Sequence, residues 1–381
     1  MEEAEELKTS SADDLPLSRV NPRIPGNRPR AALETPRLVV WRLPRAKCPC
    51  GADGAQDDGP FLGREAACGA GKWCGVCGRT LGGKKVSKNK MQPTFVLVHG
   101  AFSNSFCFAP LQAELGLLGH RSVAVDLPGH GFGATYSRAY QAPQDLEGLA
   151  AVPGAIKGVT LADNVAHLIG VLERAKENGP VILVSHSRGG ITATAAANAR
   201  PDLIDRIVYV SAWCPVDLDV NDYYAEPEMA TVDAGSLAMA LAGNPAELGL
   251  LRINFRTADP AALAAFKEVL LTDGTDEEFL TFLNTFQPDE NLDVGTSADR
   301  AQAATWGRIP KTFVRLAEDA TLPLALQDRL IREGDALTPD NPYDVRTLEG
   351  SHLKWLIDPA PAARVLGELA EPWRAGDERQ V

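Results

Sequence analysis

From Gln92 onward, apolar residues fall in short continuous runs rather than in alternation. Thr94-Phe95-Val96-Leu97-Val98 opens the series, and runs at 122–125, 181–184, 207–210, 312–316 and 344–348 follow. Such runs suit strands buried on both faces, as in parallel sheets covered by helices. Stretches with helical spacing alternate with them, at about 108–118, 161–176, 191–199, 324–331 and 360–369. The alternation predicts the α/β class: a doubly wound, mainly parallel six-stranded sheet spanning residues 91–371, with a tail at 372–381. One interval, about 215–308, breaks the pattern with mainly helical segments and no convincing strand. Its place after the strand that follows the 191–199 helix predicts a helical cap over the site.

Residues 1–90 read differently. Pro, Gly and Arg recur without periodicity, and only Leu38-Val39-Val40-Trp41 resembles a strand. A segment of this kind buries too little apolar surface to offset the entropy of ordering, so it is expected to be disordered. Five of the seven cysteines lie in it: Cys48, Cys50, Cys68, Cys74 and Cys77. Cys74-Gly75-Val76-Cys77 has zinc-knuckle spacing, but the other half, Cys48-Pro49-Cys50, is C-x-C where C-x-x-C is favoured. Met91 directly precedes the first strand and is a second candidate start, which would make residues 1–90 non-native.

Charge divides at the same place. Residues 1–90 hold 16 Lys and Arg against 11 Asp and Glu; of totals of 38 and 50, that leaves 22 basic and 39 acidic residues beyond. An acidic body repels phosphates and argues against nucleic acid as a partner. No run of about 18 apolar residues occurs, so no membrane span is expected. The start, Met1-Glu2-Glu3-Ala4-Glu5-Glu6, is acidic where a signal peptide is basic and then apolar, so a cytoplasmic location is expected.

The most informative chemistry follows the run at 181–184. Ser185-His186-Ser187-Arg188-Gly189-Gly190 leads straight into Ile191-Thr192-Ala193-Thr194-Ala195-Ala196-Ala197. Strand, sharp turn and small-residue helix are the context of a nucleophile elbow, in which Ser187 is projected above the sheet. Residues two before and two after the serine must be small, and here they are Ser185 and Gly189. After the first strand, His99-Gly100-Ala101-Phe102 can aim backbone N–H groups at the same place. The N–H groups of Ala101 and Arg188 are therefore candidate oxyanion donors. Phe102, His186 and Trp213, which adjoin these turns, are candidate pocket residues.

Of the six histidines, His352 lies directly after the last strand, in Glu349-Gly350-Ser351-His352. The chain order serine, acid, histidine makes it the candidate general base. The orienting acid is expected after the strand at 312–316, where Glu318 and Asp319 stand. Asp319 is the first choice, with Glu318 and Asp335 as weaker options.

These motifs, taken in order, resemble the α/β-hydrolase superfamily. Within it, the plant methylesterase and hydroxynitrile lyase group and its bacterial esterase relatives are the most similar. The resemblance runs through Val96-Leu97-Val98-His99-Gly100-Ala101, Gly119-His120 and Val125-Asp126-Leu127-Pro128-Gly129-His130-Gly131. It continues through His186-Ser187-Arg188-Gly189-Gly190, Ala317-Glu318-Asp319, Gln327 and Gly350-Ser351-His352. It implies an α/β-hydrolase fold, Asp319 as the acid and a mobile helical cap. Two departures stand out: Ser185 replaces the first elbow glycine, and 136–158 is a long insertion. The lyase branch keeps a Lys after its catalytic His and a Thr in the first turn; Leu353 and Gly100 occupy those positions here.

A serine esterase acting on a small, apolar carboxylic ester through an acyl-enzyme is therefore the leading expectation. Lactonase or C–C bond hydrolase or lyase chemistry with the same triad, and a non-catalytic ligand-binding protein, are the alternatives. The expected partner is a small-molecule ester, with no nucleic acid or membrane partner, no cofactor and no metal in this region; oligomeric state is not set. Leu237, Met239, Leu241, Phe266, Phe279 and Phe282 suggest an apolar pocket, although more of them are expected to pack than to touch ligand.

Overall fold

The computed structural model describes residues 92–375 apart from 233–234. The segment 1–90, its disorder and its zinc-type cysteines lie outside the described residues, as does the side chain of Leu237. The chain enters with β1 (Thr94–Val98), a 3-10 turn at Ser105–Phe108, α1 (Ala109–Leu117) and β2 (Arg121–Val125). A long connection carrying α2 (Leu146–Ala151) reaches α3 (Leu161–Lys176), β3 (Val181–Ser187), α4 (Gly189–Ala199) and β4 (Arg206–Ala212). An insert follows: α5 (Val220–Tyr223), α6 (Gly235–Ala238), α7 (Pro245–Leu248), β5 (Leu251–Arg252), α8 (Pro260–Leu270), α9 (Asp276–Leu283) and β6 (Asp289–Glu290). The chain closes through β7 (Lys311–Leu316), α10 (Leu324–Leu337), β8 (Asp344–Leu348), α11 (Lys354–Ile357) and α12 (Ala360–Ala375).

Six strands form one parallel sheet in the order β2-β1-β3-β4-β7-β8. Burial on both faces explains the runs of β1, β3, β4 and β7, whereas the edge strands β2 and β8 are partly exposed, with Val123 and Val345 open to solvent. Val96, Val98 and Leu183 pack with Leu168 and Leu172 of α3 and Ala193 of α4. Phe95, Leu97, Ile182 and Val184 point the other way, onto Leu111 and Leu115 of α1 and Leu366 of α12. Fully burying one such side chain contributes about 1.5–3 kcal/mol. Helix α3 begins where Thr160 and Asp163 form a reciprocal capping box, and its buried stripe includes Leu161, Leu168, Leu172 and Ala175.

Strand order reverses between β1 and β3, because β2 lies on one side of β1 and β3 on the other. A parallel sheet opens a crevice at the carboxyl ends of its strands at such a switch point. The turns after β1 and β3, at Gly100-Ala101-Phe102 and Ser187-Arg188, meet there.

The insert corrects one expectation. It contains an antiparallel pair, with Leu251 opposite Glu290 and Arg252 opposite Asp289. Two-residue strands carry no readable period, and Asp-Glu is an unfavourable strand sequence. The pair is held by a buried two-point contact, with Arg252 Nε and Nη2 2.6 and 2.7 Å from the Asp289 carboxylate. Elsewhere the differences are extensions: β3 runs through Ser187, α10 to Leu337, and α12 to Ala375, beyond the expected start of the tail.

Gly190 marks where α4 crosses the chain after β4. A Cβ there would lie 2.1 Å from the Trp213 carbonyl oxygen, whereas one on Gly116 would meet nothing within 4 Å. Gly190→Ala is expected to destabilise by about 1–3 kcal/mol, the range for overpacking a tight interior. Exposed helical Gly116→Ala is expected to be neutral or to stabilise by up to about 1 kcal/mol. Urea unfolding of the two variants checks this; equal effects would remove the close-approach argument.

Candidate active site

Among the described residues, three non-glycine residues have positive φ: Phe102 at 55°, Ser187 at 52° and Ser211 at 36°. Each sits just past β1, at the end of β3 or near the end of β4. Such backbone costs about 1–3 kcal/mol per residue and persists where surrounding structure over-determines it. At Ser187 the surroundings are backbone and glycine. A Cβ on Gly100 would lie 2.8 Å from the Ser187 Cβ, and one on Gly189 would lie 2.4 Å from the His99 carbonyl oxygen. The Ser187 side chain thus rests on Gly100 at the N-terminal end of α4, where the helix dipole favours negative charge. Ser185, in place of the first elbow glycine, is fully buried and donates its hydroxyl to the Val208 carbonyl at 3.3 Å.

Asp319 and His352 meet beside it. His352 Nδ1 lies 2.6 Å from Asp319 Oδ2, and both residues are buried. The same oxygen accepts the Ser211 hydroxyl at 2.6 Å. Oδ1 accepts the N–H groups of Thr321 at 2.7 Å and Leu322 at 2.9 Å. A carboxylate has about four acceptor sites, so four donors fix its rotamer. Gln327, buried in α10, clasps this loop at both ends: it accepts from Leu316 N–H and donates to the carbonyls of Leu316 and Leu322. The weaker acid options lie elsewhere. Glu318 is exposed, and Asp335 accepts the Tyr343 N–H at 2.8 Å.

A cavity of about 200 Å³ collects these groups. Ser187, His352, Ala101 and Arg188 line it, as do the three candidate pocket residues Phe102, His186 and Trp213. Further walls come from the insert, with Leu251, Phe255, Leu270, Phe286 and Tyr224 among them. Sequence reasoning missed these, and the cap residues it singled out whose side chains are described do not line the cavity. Phe266, Phe279 and Phe282 are buried packing, while Met239 and Leu241 are largely exposed. Glu290 was also missed; it lines the cavity and its backbone belongs to β6. Nothing in Pro288-Asp289-Glu290-Asn291 signals it locally. Lys354, one residue beyond the lyase position, reaches Glu278 at 3.7 Å and does not line the cavity.

Two imidazoles near Ser187 are held neutral. Burial, aided by the neighbouring His352, pushes His186 well below its ordinary value; its Nε2 bonds the His352 carbonyl at 3.2 Å. Burial and His130 lower His99 to about 3. The Leu127 N–H donates to His99 Nε2 at 3.2 Å, so the proton sits on Nδ1, which donates to the Gly100 carbonyl at 2.8 Å. The buried thiols of Cys107 and Cys214 are raised by burial, Cys107 to about 12, and remain protonated at neutral pH. Among the described residues no helix is long and apolar enough to cross a membrane, and no group of three His, Cys, Asp or Glu is arranged to hold a metal.

His99 generates a pH prediction. Its folded pKa lies below the unfolded value near 6.5, so its contribution is complete above pH 6.5 and is lost as pH falls toward 3. The loss approaches about 1.4 kcal/mol per pH unit for such an imidazole. His99→Gln should therefore show a shallower fall of unfolding free energy between pH 6 and 4 in urea titrations. Parallel slopes for the two proteins would contradict the neutral, buried assignment.

The comparisons with known proteins agree with this fold. The model of the alpha/beta hydrolase family matches residues 95–368. Methylesterase 7 of Arabidopsis thaliana is 34% identical over 125 residues, covering 32% of this chain and 41% of that protein. Pyrethroid hydrolase of Sphingobium wenxiniae is 23% identical over 279 residues, 72% of this chain and 87% of that protein. The crystal structure of polyneuridine aldehyde esterase shares the fold, with a TM-score of 0.54 at 20% identity over 73% of this chain and 99% of that one. The chain spans less than half the length of the first curated relatives it matches, 41% and 47%. A family match that runs from β1 into α12 is sufficient for one statement: this chain belongs to the alpha/beta hydrolase family.

Proposed function

We propose that the protein hydrolyses the carboxylic ester of a small, apolar molecule through an acyl-enzyme on Ser187, in the cytoplasm. The observation that carries the reading is the buried 2.6 Å Asp319–His352 pair, whose imidazole lines the same cavity as the strained Ser187. Asp319 holds the His352 ring by Nδ1, leaving Nε2 to take the Ser187 proton. The serine oxygen then attacks the ester carbonyl carbon, and charge develops on the carbonyl oxygen. The N–H groups of Ala101 and Arg188 bind that oxygen as the tetrahedral intermediate forms. Collapse expels the alcohol, which takes its proton from His352. Water repeats the sequence and frees the acid.

The walls suit an apolar substrate, since Phe102, Trp213, Phe255 and Phe286 dominate the cavity. The names of the relatives, methylesterase and pyrethroid hydrolase, support ester cleavage as the reaction class. Lactones and C–C substrates would engage the same groups, and a substrate panel separates them. A Leu after His352 and Gly100 in the first turn weigh against cyanohydrin cleavage.

Purified protein should turn over p-nitrophenyl acetate or butyrate. Ser187→Ala should reduce turnover by about a million-fold, and Asp319→Asn by about ten-thousand-fold, as in other serine hydrolases. A wild type that is inert and also resists a serine-reactive phosphonate would favour ligand binding without catalysis. Retained activity in Ser187→Ala would move the chemistry to another residue.

A further inference from the structure

One buried carboxylate touches both sides of the crevice. Glu290 Oε2 accepts the Phe102 N–H at 2.8 Å, and Oε1 lies 3.7 Å from Arg188 Nε. Phe102 follows Ala101, and Arg188 follows Ser187, so the two gripped residues carry or adjoin the two candidate oxyanion donors. We propose that Glu290 is a positioning residue that fixes the separation and orientation of the Ala101 and Arg188 N–H groups. The proposal rests on the esterase reading above.

The local geometry explains why such a part is needed. Phe102 has φ 55°, a conformation a phenylalanine does not hold unaided. It is tied at both ends, because its carbonyl also accepts the Gln287 N–H at 2.9 Å. The peptide on the other side of Ala101 is set by His99 Nδ1 on the Gly100 carbonyl. With both flanking peptides pinned, the direction of the Ala101 N–H is determined. On the elbow side, Arg188 Nη2 donates to Asn291 Oδ1 at 2.6 Å and to the Asp293 carbonyl at 2.7 Å. Those acceptors are the residues just after Glu290, so one short stretch of the insert holds both turns.

Glu290 faces the site because of the β5–β6 ladder. Directly opposed residues of an antiparallel pair share a face, and successive residues alternate. Asp289 and Arg252 pair on one face; Glu290 and Leu251 therefore share the other, and both line the cavity. Charge is balanced locally. Burial alone would raise the Glu290 carboxyl, but Arg188, His130 and the hydrogen bonds outweigh it and hold it at about 2. His130 Nε2 lies 3.3 Å from Oε2; burial lowers His130, yet Glu290 more than offsets this and raises it. His99, neutral and tilted against His130 with ring centroids 4.6 Å apart, and Asp126, which accepts the Ser105 N–H, complete the nearby titratable groups.

The test compares Glu290→Gln, Glu290→Asp and Glu290→Ala for kcat, KM and inhibition by an aryl trifluoromethyl ketone, which forms a tetrahedral oxyanion adduct, and by the product acid. Gln keeps an acceptor at full reach for the Phe102 N–H, Asp keeps the charge but withdraws the acceptor, and Ala loses both. Loss of one oxyanion donor costs about 100- to 1,000-fold, so Ala should lose about 100-fold in kcat with KM within about threefold. Asp should lose more than tenfold, and Gln less. Trifluoromethyl ketone affinity should fall with kcat/KM, while product-acid affinity stays level. If Ala does not fold, the order of Asp and Gln decides the matter. Gln falling further than Asp, unchanged kcat in Ala and Asp, or equal loss of both inhibitors would each overturn the role. A wild type without ester turnover removes the esterase reading and this role together; an active wild type with unaffected variants removes this role alone.

Discussion

At the end of β3 the chain turns with Ser187 at φ 52°, and the turn closes only where neighbouring backbones come nearer than side chains allow. Gly100 lies under the Ser187 side chain, Gly189 against the His99 carbonyl, and Gly190 against the Trp213 carbonyl. These three contacts join the ends of β1, β3 and β4 into one rigid crest. The rest of the site is arranged around that crest. A methyl group on any of the three glycines would strain this crest, because the facing atoms are the Ser187 Cβ and two backbone carbonyls, none of which moves with a rotamer change. The small-residue helix α4 has the same origin, since it must bury nearly all of its surface between the sheet and α3.

Charge is rationed around this crest. Two imidazoles next to the serine are kept neutral by burial, which leaves His352 as the imidazole paired with a carboxylate in the cavity wall beside Ser187. A second cationic ring at His186 would repel the imidazolium that the proposed reaction forms at His352. The other buried carboxylate at the site, Glu290, is matched by Arg188 and His130, so it does not oppose a developing oxyanion as a lone charge would. Neutral rings supply hydrogen bonds and shape; the charged groups come in pairs.

The sheet and the turns that carry Ser187 and His352 were legible because their signals are local. Continuous apolar runs mark strands buried on both faces, and the elbow needs its small residues within a few positions of Ser187. Asp319 was readable as one of two neighbouring carboxylates; burial separates it from Glu318, and burial depends on the fold. The pocket walls were not readable. Phe255, Phe286, Leu251 and Tyr224 come from the insert, whose path is set by long-range contacts such as Arg252 with Asp289. Phe266 and Phe279 are the same residue type and lie within α8 and α9, the helices that Phe255 and Phe286 flank, yet they pack inward. No period in the sequence distinguishes a phenylalanine that meets substrate from one that meets its neighbours.

The insert is bound to the loops that carry the candidate chemistry, not merely laid over them. Thr321, two residues past Asp319, donates its hydroxyl to the Val269 carbonyl at 2.9 Å. Leu353, next to His352, donates its N–H to the Leu270 carbonyl at 3.1 Å, and Ser351 donates to Asp273. Phe102 is held by Gln287 and Glu290. Neutral hydrogen bonds contribute about 0.5–1.5 kcal/mol each, so swinging the whole insert away would cost several kcal/mol and would release the loops of Asp319, His352 and Phe102 together. The segment that supplies the pocket wall therefore also braces the reacting groups. On the proposed reading, substitutions that reshape the pocket through α8 or β6 are expected to act on turnover as well as on binding, because the same backbone serves both.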